Sequence, residues 1–236
     1  MAPHRYDDHH RDVTGGGVRA AVFGASDGLV SNVLLIVGLA GADASGPTVR
    51  AAGVAGLLAG AISMAAGEYV SVRAQNDLVT RELEKERQAL ADDPEEETNE
   101  LAEVYIERGM DSKQAREMAE LVMQNPEMAL EVHAREELGV APNELASPFS
   151  SAAWSFFAFA LGALVPLLPW FVSSSSVMVW FSVAAAVVGA AFIGVTLALA
   201  TGHSVLRGVV RHVGIAIAAA AAIYLVGGAL GGVLEL

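Results

Sequence analysis

Five stretches of about twenty residues, nearly free of charge, run through this chain of 236 residues. They fall at roughly 18–41, 50–72, 150–172, 177–199 and 211–234. A soluble core spreads its apolar residues at helix or strand periods, whereas unbroken blocks of this length match the ~30 Å hydrocarbon layer of a bilayer at ~1.5 Å per helical residue. A hydrophobic share of 53% with only 17% charged residues points the same way. The expectation is an all-α, polytopic membrane protein with five transmembrane helices. Glycines recur inside the spans, such as Gly53, Gly56 and Gly60 in the second, and small residues let helices approach closely in lipid.

Between the second and third spans lies a polar segment, 73–147, with 20 acidic and 8 basic residues, which carries nearly all of the chain's net charge of −13. Residues 1–17 read as a polar tail, 18–72 as the first two spans, 73–147 as a soluble cytosolic insert, and 148–236 as the last three spans. The insert itself reads as helical. Arg73 to Ala91 extends the second span, Pro94 opens a helix to Arg108, Ser112 caps another toward Gln124, and a last helix runs from Glu127 to Leu138, closed by Gly139.

Arg50 alone among 14 basic residues lies on the side opposite tail, insert and the loop holding Arg207 and Arg211. The positive-inside rule therefore puts N-terminus and insert in the cytosol and the C-terminus outside. The polar start, MAPHRYDDHH, has no apolar stretch behind a basic region, so no cleavable signal peptide is expected, and a prokaryotic plasma membrane suits the composition. With no cysteine, thiolate metal sites and thiol catalysis are excluded. Nor does a Gly-rich loop precede Lys and Ser or Thr, so ATP drive has no support. An acidic chain of this kind is not expected to bind nucleic acid; its partners are membrane lipid and metal ions.

An ionisable group inside a span costs several kcal/mol unless paired or hydrated, which makes it a functional candidate. Asp27 lies about nine residues into the first span and Met64 at similar depth, about 12 Å in, on the antiparallel second. Glu68 shares a face with Met64 at i, i+4, and Ser31 and Asn32 add oxygens one turn above Asp27. Carboxylates with hydroxyl and amide oxygens suit divalent cations, and a thioether favours softer ones such as ferrous iron. The blander reading leaves Glu68 solvated at the interface and Asp27 capping a break at Gly28. His4, His9 and His10 read as an exposed tail, and His203, Arg207, Arg211 and His212 as orientation and lipid-headgroup contacts.

The stretch Asp27-Gly28-Leu29-Val30-Ser31-Asn32, the run Ser63 to Val72 (SMAAGEYVSV) and Glu137-Leu138-Gly139 resemble the vacuolar iron transporter family, in order and with the same span layout. That resemblance implies a homodimer whose first spans line a metal path, proton-coupled export of ferrous iron or manganese, and a cytosolic domain that captures metal. It makes Asp27 and Met64 path residues, with Glu68 at the acidic position of the second motif. In the insert it implies ligands at Glu86, Ala89, Glu97, Glu100, His133 and Glu137. Ala89 and His133 depart from the family's Glu and Met. Glu82, one turn from Glu86, is the candidate to replace the carboxylate missing at Ala89. An imidazole accepts iron, manganese, zinc and cobalt, but protons compete for it in acid.

The expected function is thus transport, not catalysis, with no permanent cofactor and Fe2+, Mn2+ or, in second place, Zn2+ or Co2+ as substrate and domain ligand. The alternative is a membrane-anchored iron-binding, oxidising or sensing module. Glu-x-x-His pairs, the usual helical di-iron ligands, are missing when the insert is read forward.

Overall fold

The computed structural model describes residues 16–140 and 145–234, which form helices joined by short connections. His4, His9 and His10 lie outside the described residues. Nine helices follow in order among them: α1 (Gly16–Gly41), α2 (Gly46–Asp92), α3 (Pro94–Glu107), α4 (Ser112–Met123), α5 (Pro126–Glu136), α6 (Pro148–Leu167), α7 (Pro169–Val172), α8 (Met178–Thr201) and α9 (Val205–Leu234). Five of them, α1, α2, α6, α8 and α9, are long and apolar enough to cross a membrane. The chain divides into two compact units, one of Met1–Val70 with Pro148–Leu236 and one of Ser71–Ser147.

In the first unit α1 is central, with α6, α8 and α9 packed around it. Leu29, Val33 and Val37 of α1 bury against Ala186 and Ala190 of α8 and Ala216 of α9. The tightest crossing is α1 on α6, where a Cβ added at Gly28 would overlap the carbonyl of Phe159 and one at Gly162 the carbonyl of Ala25. Only glycine lets the backbones come this close. α1 continues unbroken through Gly28, which removes the reading of Asp27 as the cap of a break.

The third span is not the single helix expected over 150–172. Pro166 sits in the last turn of α6 and Pro169 opens α7; Leu168 between them keeps a helical backbone and donates to the Leu164 carbonyl at 3.0 Å, but each proline leaves the ladder one amide hydrogen short. Trp170 of α7 is buried and donates through Nε1 to Ser182 Oγ of α8 at 2.9 Å. The fifth helix begins at Val205 instead of 211, so Arg207 and Arg211 stand on α9 and not in a loop.

In the second unit α3, α4 and α5 enclose a small core of Leu101, Ala102, Ala119, Val122 and Ala129, joined by Leu90 of α2. Their starts are set by side-chain caps. Asp93 accepts from the Glu96 amide at 3.1 Å and Asn125 from the Glu127 and Met128 amides at 3.0 and 3.2 Å. Asp111, not Ser112, caps α4, accepting from the Lys113 amide at 3.1 Å. Gly139 takes a positive φ of 65° in the turn after α5, a conformation costly to side-chain-bearing residues. Arg108 and Glu136 clamp the end of α3 to the end of α5.

Candidate metal sites

Three helices remote in sequence bring four residues of metal-ligand type in the second unit to one point. Glu86 comes from α2, Glu97 from the start of α3, and His133 and Glu137 from the end of α5, four residues apart and therefore on one face. Pro94 and the Asp93 cap fix where α3 begins, and hence where Glu97 points. His133 is 0% exposed and Glu97 8%. Around His133 Nδ1 stand Glu137 Oε1 at 3.0 Å, Glu86 Oε1 at 3.1 Å and Glu97 Oε2 at 3.5 Å.

One ring nitrogen carries at most one proton, so it cannot satisfy three carboxylates. The hydrogen-bond geometry gives it to Glu137, and Glu86 Oε1, close as it is, has no hydrogen-bond partner. One ligand atom from each of the four residues lies within 4.8 Å of all the others. Ligands of a first-row divalent ion, with bonds of about 2.1 Å, stand at most about 4.2 Å apart, so the four groups are gathered on the scale of one coordination sphere. Three carboxylates and an imidazole are hard and borderline donors, suited to ferrous iron, manganese or zinc.

The electrostatics agree. Burial pushes the Glu86 carboxyl above its ordinary value, with Glu137 adding to the rise and His133 opposing it. Burial also raises Glu97, helped by Glu86 and Glu100. Crowded acids of this sort hold a proton or a cation in place of full ionisation.

The other insert residues singled out by sequence stand apart. Glu100 is exposed and acts on the cluster through its charge without joining it. Glu82 pairs with Lys85 at 2.8 Å, one turn along the same helix, and is not among the four grouped residues.

In the first unit, Asp27, Ser31, Asn32 and Met64 line one cavity of about 390 Å³ between α1, α2 and α6. Ser31 Oγ donates to Asp27 at 2.7 Å. Asn32, buried, donates through Nδ2 to the Ala163 carbonyl at 2.6 Å, which fixes the amide and leaves its Oδ1 buried with no partner. Leu35, Gly56, Gly60, Ser63 and Phe159 complete the lining, and sequence offered none of them as a path residue. Ser63 adjoins Met64, whereas nothing local marks Phe159, which is brought in by the α1–α6 crossing. Glu68 is not among the lining residues; it is 16% exposed and accepts from Arg19 Nη2 at 3.1 Å.

Five long apolar helices, with a carboxylate and amide facing a cavity among them, define a multi-pass membrane protein. The sequence model of the VIT family matches residues 18–228, so the chain belongs to that family. Among named relatives, a "Vacuolar iron transporter" of Acanthamoeba castellanii is 43% identical over 66% of this chain and 56% of its own length. "Vacuolar iron transporter 1" of Arabidopsis thaliana is 34% identical over 69% and 66%. "Vacuolar iron transporter 1" of Oryza sativa subsp. japonica is 30% identical over 94% and 88%. The chain thus spans less than two thirds of the length of the first two of these relatives.

Proposed function

We propose that this protein transports divalent iron or manganese out of the cytosol in exchange for protons, with residues 73–147 as a cytosolic domain that captures the metal. The observation that carries this reading is the convergence of Glu86, Glu97, His133 and Glu137 on one point, in a chain whose Asp27, Asn32 and Met64 line a cavity between apolar helices. The names of the relatives support metal as the cargo. In this reading the tail and the insert face the cytosol of a prokaryotic plasma membrane, the C-terminus lies outside, and Asp27, Ser31, Asn32 and Met64 pass the ion on. Glu68 is the first carboxylate it meets, exchanging Arg19 for metal.

The working form is a homodimer. Phe23, Asp27, Ser31 and Leu35 follow one another at i, i+4 along α1 and are all exposed on a single chain. Facing lipid, the Asp27 carboxylate would cost several kcal/mol, a penalty that a second copy across a hydrated path removes.

Uptake by proteoliposomes tests the proposal. Wild type carries ferrous iron or manganese faster when a proton gradient opposes the metal flow, while Asp27→Ala falls to the rate of empty liposomes and still binds metal in its insert. Equal rates for wild type, Asp27→Ala and empty liposomes would overturn the transport reading.

A further inference from the structure

The short connection between α8 and α9 borders a second open cavity, far in sequence from both candidate metal sites. Gly194 of α8 and Gly208 of α9 face each other so closely that a Cβ on either would lie 2.9 or 2.7 Å from the other's carbonyl oxygen. With Ala198 they form the floor of a cavity of about 200 Å³. Its polar wall consists of Thr201, His203, Ser204, Arg207 and Arg211, and no carboxylate lines it.

Arg207 and Arg211 stand at i, i+4, so two like charges share one helix face, an unfavourable arrangement without a counter-ion. Among the described residues neither has an acidic partner, which is also true of Arg50 and Arg81, whereas Arg19, Arg73, Arg87, Arg108, Arg116 and Arg135 each hold a carboxylate. Beside the arginines are exposed apolar side chains: Leu206 at 73%, Val210 at 62% and, on α8, Leu199 at 69%. Cationic and hydroxyl donors around a small cavity match a phosphate. Apolar residues interleaved with them match the chains attached to it.

We propose that this cavity binds the phosphate headgroup of an anionic glycerophospholipid, whose acyl chains lie along Leu199, Leu206 and Val210. Arg207 and Arg211 supply the charge, and Thr201, Ser204 and His203 the additional donors. The close glycine contact keeps the floor shallow enough for a headgroup to reach both guanidinium groups. The site depends only on the membrane setting of α8 and α9, and stands whether or not the metal reading does.

Native mass spectrometry of the full chain in detergent, titrated with phosphatidylglycerol or phosphatidylcholine, tests it. Wild type retains phosphatidylglycerol in preference. The double variant Arg207→Gln, Arg211→Gln binds it roughly twenty- to thirtyfold more weakly, at about fivefold for each basic residue at a membrane surface. Arg50→Gln, at the other end of the spans, changes nothing. Equal retention of the two lipids, or unchanged binding by the double variant, overturns the site. Full displacement of phosphatidylglycerol by an equal concentration of inorganic phosphate would assign it to free phosphate and overturn the lipid. Should the double variant not fold, wild type alone decides: its preference must fall as sodium chloride rises from ~0.05 to ~0.5 M, since exposed charges are screened over that range.

Discussion

At the scale of single residues, the insert's chemistry turns on carboxyl groups held above their ordinary values. Glu86 and Glu97 both bind protons more readily in the folded chain than in the unfolded one. With raised folded values, their contribution to stability is complete below the unfolded carboxylate range, near pH ~4.3, and is lost as pH climbs through the folded values. Without metal, thermal unfolding of the purified chain should therefore show this unit losing stability from about pH 4 toward neutrality. Added manganese should reverse the trend, since the ion replaces the protons. Calorimetry in two buffers of different ionisation enthalpy should then detect proton release on binding. Glu97→Gln should weaken binding at least about tenfold, because even outer-shell partners of metal ligands are worth 10- to 100-fold. Equal affinity in Glu97→Gln and wild type would remove Glu97 from the site.

The four converging residues were legible in the sequence only with the family resemblance, because an insert with 20 acidic residues presents i, i+3 and i, i+4 pairs everywhere. Periodicity places Glu97 and Glu100 on similar faces; only the turn at Asp93 and Pro94 decides that Glu97 faces inward and Glu100 outward. Arg19 illustrates a different limit. In sequence it is one more basic residue on the cytosolic side, and its contact with Glu68, 49 positions on, depends on α1 lying beside α2.

At the scale of elements, the pairing of α1 with α6 rests on Gly28 and Gly162, whose missing side chains admit the neighbouring carbonyls. Gly28→Ala should cost about 1–3 kcal/mol through overpacking and lower the unfolding temperature of the detergent-solubilised protein. Gly214→Ala, where an added Cβ meets nothing within 4 Å, should leave it unchanged or raise it slightly, since alanine favours helix. The lengths of the apolar blocks and the proline and cap positions made nearly every helix readable in advance. The exceptions are where local chemistry and burial diverge. The third span carries two prolines in an otherwise continuous apolar run, and α9 begins in a charged turn that hydropathy excludes from the span although its backbone is already helical.

At the scale of the whole molecule, the absence of cysteine makes the proposed homodimer directly testable. Phe23→Cys places a thiol on the exposed α1 stripe and, under mild oxidation in membranes, should yield a species of twice the chain mass. Val188→Cys, 70% exposed on α8, should stay at single mass. Cross-linking at Val188 but not at Phe23 would move the interface to α8 and leave Asp27 without a partner copy.

The meeting of Glu86, Glu97, His133 and Glu137 also has a mechanical side. An ion held there fastens a long helix, a short one and the tail of a third, joined otherwise by a small apolar core and a few surface ion pairs. With the ion gone, three acids are left pressing against one another around a single imidazole. Under the proposed function, the tightness of this unit becomes a gauge of the metal around it: slack when the ion is scarce, stitched when it is plentiful.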